Sequence, residues 1–92
     1  MIRVHMIDDD EEMHDLLGDY FEDEAIDFSA SATPTQGLEY VQNNTVDLIL
    51  LDFMMPEMDG FETCRQLRLN NPLIPIIMLT AKKDDYNRII GL

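Results

Sequence analysis

The apolar residues of this chain follow two alternating kinds of spacing, one typical of strands and the other of helices. Four short runs are continuously apolar or alternate with polar residues, and these predict strands at residues 2–7, 26–32, 46–51 and 74–79. Between the runs, apolar residues recur three and four positions apart, which predicts helices around 13–21, 33–44 and 60–70, with another beginning near Tyr86. The predicted order is βαβαβαβα, without linkers or repeats.

This order predicts a parallel sheet with helices on both faces, because right-handed crossovers place each helix over the sheet. The strand at 26–32 alternates apolar and polar residues, as expected at a sheet edge, whereas the other three have the composition of strands buried on both faces. A sheet has two edges, and strand 74–79 carries none of the charges that protect an edge from pairing. We therefore expect a longer chain or a second molecule to cover that strand.

Composition and charge limit the number of domains, the partners and the location that the chain can have. The chain has 92 residues, of which 46% are hydrophobic, so it can form one domain with a modest core. Nineteen acidic residues against six basic ones give a net charge of −13, which repels phosphate backbones and anionic lipid surfaces. We expect no direct contact with nucleic acid or membrane. One cysteine, Cys64, cannot form an internal disulfide, and no signal peptide is evident, so the cytoplasm is the expected location.

Acidic residues follow two of the apolar strands directly. Asp8 and Asp9 end the first strand, Asp52 ends the third, and Thr80 ends the fourth. Ligands of parallel α/β sheets bind beyond the carboxyl ends of the strands, so three carboxylates converge if strands one and three are neighbours. An all-oxygen cluster suits Mg²⁺ and suggests phosphoryl chemistry, with an Asp carboxylate as nucleophile and the Thr80 hydroxyl hydrogen-bonded to the phosphate.

Each of these residues also has a simpler interpretation. The acidic run at 8–12 could be favourable charge on the first turn of a helix, Asp52 could cap a loop, and Thr80 could be an ordinary strand end.

The remaining candidates for chemistry are interpreted as structural. Phe61, Cys64 and Leu67 are expected to face the core from one helix, His5 and His14 to be structural or surface groups, and Met54, Met55 and Met58 to pack within a loop.

Three motifs carry a resemblance to a known family. "MIDDDEE" after the first strand, "LILLDFMMPEMDGFE" around the third and "PIIMLTAK" at the fourth resemble the receiver domain of two-component response regulators. The resemblance implies an α/β, flavodoxin-like doubly wound sheet with strand order 2-1-3-4. It further implies that Asp52 accepts a phosphoryl group from a sensor histidine kinase or an acyl phosphate. Mg²⁺ would be bound by Asp8, Asp9, Asp52 and the backbone carbonyl of Met54, and Thr80 would be the switch hydroxyl that changes a protein-binding face.

The chain also departs from the family pattern. A complete receiver has five strands and five helices, whereas this sequence stops at Leu92 within the predicted fourth helix. The family's fifth strand carries a Lys that contacts the phosphoryl group, and neither Lys82 nor Lys83 matches it. We therefore expect residues 1–92 to form a partial receiver domain, lacking the fifth strand and last helix. Its phosphorylation would be impaired, and it would associate with itself through the uncovered edge at 74–79. An output domain could follow in a longer parent protein.

The sequence is also compatible with two other classes of function. A haloacid-dehalogenase-like phosphatase also uses an Asp nucleophile, but it usually carries a second Asp two residues later, where this chain has Met54. We therefore predict that the chain is not an enzyme beyond its own phosphoryl acceptance and slow dephosphorylation. The other alternative is a receiver-like interaction domain that works without phosphorylation, which the missing Lys favours.

Overall fold

A computed structural model describes residues 1–79 of the chain. Its strands and helices alternate as the apolar spacing predicts, with strand ends moved by one or two residues. The elements are β1 (Arg3–Ile7), α1 (Glu11–Asp23), β2 (Asp27–Ser31), α2 (Pro34–Asn43), β3 (Leu48–Asp52), α3 (Gly60–Asn70) and β4 (Ile76–Leu79). The helix predicted from Tyr86 lies outside the described residues.

The four strands form one parallel sheet in the order β2-β1-β3-β4. This confirms the predicted α/β fold and strand order, including the edge position of β2. In the register, Ile7 of β1 pairs with Leu51 of β3, and Asp52 pairs with Leu79 of β4. The chain segments that leave β1 and β3 therefore emerge side by side at one end of the sheet.

Helices cover both faces of the sheet. Ile7, Ile49 and Leu51 are fully buried on the face that packs against α2 and α3, together with Val41 and Leu67. On the opposite face, α1 packs over β2, where the rings of Phe21 and Phe28 lie 5.5 Å apart. None of the helices between residues 1 and 79 is long and apolar enough to cross a membrane.

The first residues of each helix have local capping partners. The Asp10 carboxylate accepts hydrogen bonds from the N–H groups of Glu12 and Met13, and the Asp59 carboxylate accepts one from Glu62. Thr33 caps α2 in the same way and is followed by Pro34, as its sequence predicts. These caps fix where α1 and α3 begin, after the loops that follow β1 and β3.

Two predictions of burial are wrong. Phe61 is 61% exposed, because the inner face of α3 is formed by Gly60, Thr63 and Leu67, with Cys64 half-buried beside them. One residue beyond Gly60, the Phe61 side chain is turned about 100° away from that face. It packs edge-on against Phe53 instead, with ring centroids 4.9 Å apart. The prediction that the last strand is buried on both faces is also wrong, since Ile77 of β4 is 49% exposed.

His5 is a structural residue of the core. It is fully buried on β1, with Nδ1 2.6 Å from Ser29 Oγ and Nε2 2.8 Å from Ser31 Oγ. Its ring stacks on Tyr40 of α2 at a centroid distance of 4.0 Å. Burial, with a smaller contribution from the nearby His14, lowers the pKa of His5 to about 4. The neutral imidazole therefore joins β1, β2 and α2.

Candidate functional site

The acidic run after β1 divides into residues with different surroundings. Asp8 is 4% exposed, and its Oδ1 accepts a hydrogen bond from the Asp10 N–H at 2.9 Å. Asp10 is the N-cap of α1, so its carboxylate is used by the helix. Asp9 lies between them and is exposed. The simple interpretation as helix-end charge thus fits Asp10 but leaves Asp8 and Asp9 available for a ligand.

Asp52 is the last residue of β3 and is 7% exposed. Its Oδ1 accepts a hydrogen bond from the Met54 N–H at 3.2 Å. The next residue along the chain, Phe53, donates its N–H to the carbonyl oxygen of Leu79 at 2.8 Å. The end of β4 therefore reaches the same level as Asp52. Thr80 follows Leu79 in the sequence and lies outside the described residues.

The structure brings three of the predicted site residues together. Carboxylate oxygens of Asp8, Asp9 and Asp52 all lie within 4.8 Å of one another. This follows from the pairing of β1 with β3, which places the two strand ends at one edge of the sheet. Three carboxylates supply the hard oxygen ligands that Mg²⁺ prefers, and the exposed Asp9 leaves room for water or phosphate ligands. The residues present therefore fit a magnesium ion.

Burial and like charge oppose ionisation of this cluster. Burial raises the pKa of Asp52 to about 6, to which the negative charges of Asp8 and Asp9 also contribute. Burial likewise raises the pKa of Asp8, although the hydrogen bond from Asp10 partly offsets it. The full negative charge of the three groups is thus unfavourable without a cation, and a bound divalent ion would stabilise it.

One neighbour of the site was missed by sequence reasoning. The Nε2 of His14 lies 2.6 Å from the backbone carbonyl oxygen of Asp8. The sequence predicted a structural or surface role for His14. The contact with the Asp8 carbonyl is structural, but it also holds the turn that carries the carboxylates of Asp8 and Asp9. The spacing could have indicated this contact, because His14 lies one helical turn after the cap residue Asp10 and so faces back toward the turn.

The loop from Phe53 to Asp59 forms the other wall of the site. It borders an open cavity of about 350 Å³, which Asp9 of the carboxylate cluster also lines. The cavity is lined by Asp9, Phe53, Met54, Met55, Pro56 and Asp59. Met55 is buried in the core, whereas Met54 is 44% exposed beside Asp52. The prediction that Met54 and Met55 pack within the loop is therefore wrong, since Met55 packs in the core and Met54 is largely exposed, while the Met54 N–H bonded to Asp52 places its backbone beside the acidic cluster.

The comparisons with known proteins agree with this fold. The family model for the response regulator receiver domain matches residues 4–92. The chain therefore belongs to the response regulator receiver domain family. Response regulator ArlR of Staphylococcus saprophyticus is 38% identical over 92 residues, covering 100% of this chain and 41% of ArlR. The transcriptional regulatory protein PhoP of Bacillus subtilis is 34% identical over 90 residues, covering 98% of this chain and 38% of PhoP.

A solved structure shows the same architecture in a receiver with metal. Response regulator protein TrrA of Thermotoga maritima, in complex with Mg²⁺-BeF, superposes with a TM-score of 0.84 at 25% identity over 95% of this chain and 76% of TrrA. TrrA in complex with histidine kinase ThkA superposes with a TM-score of 0.82 at 27% identity over 88% of this chain and 70% of TrrA. This chain spans about two fifths of the length of the curated relatives it matches.

Proposed function

We propose that this domain accepts a phosphoryl group on Asp52 and, by doing so, switches a protein-binding face. The observation that carries the proposal is the convergence of Asp8, Asp9 and Asp52, whose carboxylate oxygens lie within 4.8 Å of one another at the ends of β1 and β3. Membership of the receiver family supports it independently.

In the proposed reaction, an oxygen of the Asp52 carboxylate attacks the phosphorus of the donor. The new bond joins that oxygen to phosphorus, and the bond between phosphorus and the donor's nitrogen or acyl oxygen breaks. The pKa of about 6 means that Asp52 is mostly ionised, and so nucleophilic, at neutral pH. Mg²⁺, when bound, would neutralise charge on the transferring oxygens.

Asp8, Asp9, Asp52 and the backbone carbonyl of Met54 are the proposed ligands of Mg²⁺. The complex of TrrA with Mg²⁺-BeF supports a divalent ion at this kind of site. Thr80 remains the proposed switch hydroxyl, on the strength of its place directly after Leu79, which pairs with Asp52 in the register. The domain would act as a phosphoacceptor rather than as an enzyme with an external substrate.

A sensor histidine kinase is the proposed phosphoryl donor, supported by the complex of TrrA with ThkA. We also propose that a parent protein carries an output domain, because the relatives ArlR and PhoP extend well beyond the matched segment. With a net charge of −13, this domain would leave contact with nucleic acid to that other part. The cytoplasm remains the proposed location, and self-association through β4 remains a prediction that sedimentation analysis tests.

Thermal unfolding with Mg²⁺ and beryllium fluoride tests the proposal. We expect beryllium fluoride, added in the presence of Mg²⁺, to raise the Tm of the wild-type chain and to leave the Tm of Asp52→Asn unchanged, because beryllium fluoride bound to a carboxylate mimics a phosphoryl group. Glu12→Gln is the matched control, since it removes a charge from the exposed part of the same acidic run. An equal rise in Asp52→Asn would contradict the assignment of the phosphoacceptor.

A further inference from the structure

The side chain of Glu57 hydrogen-bonds the loop that follows Asp52 to α2. Its Oε1 accepts two hydrogen bonds from Thr35, one from the backbone N–H at 2.8 Å and one from the hydroxyl at 2.6 Å. Glu57 and Thr35 are 22 residues apart in the chain, so the contact joins two separate elements. Both hydrogen bonds go to a carboxylate, which makes them stronger than bonds between neutral groups.

The contact completes the amino-terminal end of α2. The first N–H groups of a helix have no partner within the helix, and each needs another acceptor. Pro34 has no N–H, the N–H of Gln36 donates to the Thr33 hydroxyl at 3.2 Å, and that of Gly37 donates to the Thr33 carbonyl at 3.0 Å. The N–H of Thr35 donates to Glu57, which lies on another segment. Negative charge is also favourable at this end of a helix, because the helix dipole is positive there.

The same contact restrains the middle of the loop. At its beginning, the Phe53 N–H donates to Leu79, and at its end the Gly60 N–H donates to the Phe53 carbonyl at 2.9 Å. Between these points the loop is fixed by the buried side chain of Met55 and by the carboxylate of Glu57. Met54, whose backbone we propose as a metal ligand, lies next to Met55 and three residues before Glu57. Glu57 therefore fixes one side of the short segment that carries Met54, and Asp52, bonded to the Met54 N–H, fixes the other.

We infer that Glu57 is a positioning residue that holds the loop in the geometry in which Met54 binds the metal. This inference rests on the proposed function of the acidic site. The hydrogen bonds from Thr35 also lower the pKa of Glu57, so its carboxylate is charged at neutral pH. Glu57 touches neither the metal nor the phosphoryl group. It acts through the loop, as outer-shell partners of metal ligands do in other sites.

Mg²⁺ titrations of matched variants test the inference. We expect Glu57→Ala to weaken Mg²⁺ binding about tenfold, the lower end of the losses seen for outer-shell partners of metal ligands. Glu57→Gln should restore most of the affinity, because its amide oxygen can accept the hydrogen bond from the Thr35 N–H. Thr33→Ala removes the other cap of the same helix end without touching the loop, so it should lower the Tm and leave Mg²⁺ affinity unchanged. Glu39→Ala controls for the loss of an exposed negative charge on α2.

The possible results separate this inference from the proposed function. Unchanged Mg²⁺ affinity in Glu57→Ala, with normal binding by the wild type, overturns the inference alone. An equal loss of affinity in Thr33→Ala also overturns it, because Glu57 would then act only through the stability of α2. A wild-type chain that binds no Mg²⁺ overturns the proposed metal site and the inference with it. A loss in Glu57→Ala that Glu57→Gln reverses and Thr33→Ala does not share supports the positioning role.

Discussion

The Nε2 atom of His14 hydrogen-bonds the backbone carbonyl oxygen of Asp8 at a distance of 2.6 Å. A side chain of α1 thereby holds the turn from which Asp8 and Asp9 reach the site. Replacing His14 with Phe should lower the free energy of unfolding by about 1 kcal/mol, the usual net contribution of one hydrogen bond. We also expect weaker Mg²⁺ binding, because the turn is released next to two ligands. Urea unfolding and Mg²⁺ titration measure the two effects.

His14→Gln serves as the control for this prediction. Its side-chain amide keeps an N–H donor on α1, so part of both losses should be recovered. If His14→Phe unfolds at a lower urea concentration but binds Mg²⁺ as well as the wild type, His14 stabilises the fold without supporting the site.

Asp52 should destabilise the metal-free domain at neutral pH. Its pKa is raised to about 6, so the folded state resists ionisation that the unfolded chain allows from about pH 4 upward. Stability is therefore lost as the pH rises through this range. Without metal at pH 7, we expect Asp52→Asn to be more stable than the wild type by about 1–2 kcal/mol, allowing for solvent at the open side of the site.

Unfolding in urea at pH 4 and pH 7, with a chelator present, measures this difference. The advantage of Asp52→Asn should disappear at pH 4, where the wild-type carboxyl is protonated in the folded state. An advantage of the same size at both pH values would show that packing, rather than ionisation, causes it.

His5 should have the opposite pH dependence. Its pKa falls from 6.5 to about 4 on folding, chiefly through burial, so the folded state favours the neutral imidazole. As the pH falls below 6.5, the unfolded chain takes up a proton that the folded chain does not, and stability is lost until about pH 4. NMR titration of the His5 ring measures the pKa directly, and a value near 6.5 would contradict this account.

Gly60 should not tolerate a side chain. A Cβ atom at this position would lie 2.8 Å from the Phe53 Cα and 3.0 Å from the Met78 sulfur. Because the first of these atoms is backbone, it cannot move aside without shifting the loop after Asp52. We expect Gly60→Ala to cost about 1–3 kcal/mol of stability by urea unfolding. Gly18→Ala, where the nearest atom is 3.6 Å away in the Phe28 side chain, is the control and should be tolerated.

The order of strands and helices could be predicted from the sequence because apolar spacing records which face of each element is buried. The positions of Asp8 and Asp52 followed from the same pattern, since both come directly after apolar strands. Phe61 was misplaced because several apolar residues in α3 allow more than one inner face, and only packing against β3 and β4 decides between them. The contact between Glu57 and Thr35 was not predictable, because it joins two exposed polar residues whose proximity depends on the tertiary fold.

The most direct test of the central claim is the intact mass of the chain after incubation with Mg²⁺ and acetyl phosphate. We predict that the wild type gains one phosphoryl group and that Asp52→Asn gains none, which would assign the phosphoacceptor. The fraction of molecules that gains the group also tests the expectation that phosphorylation of this 92-residue chain is impaired. A wild type that binds Mg²⁺ but gains no phosphoryl group, or an Asp52→Asn variant that gains one, would contradict the account.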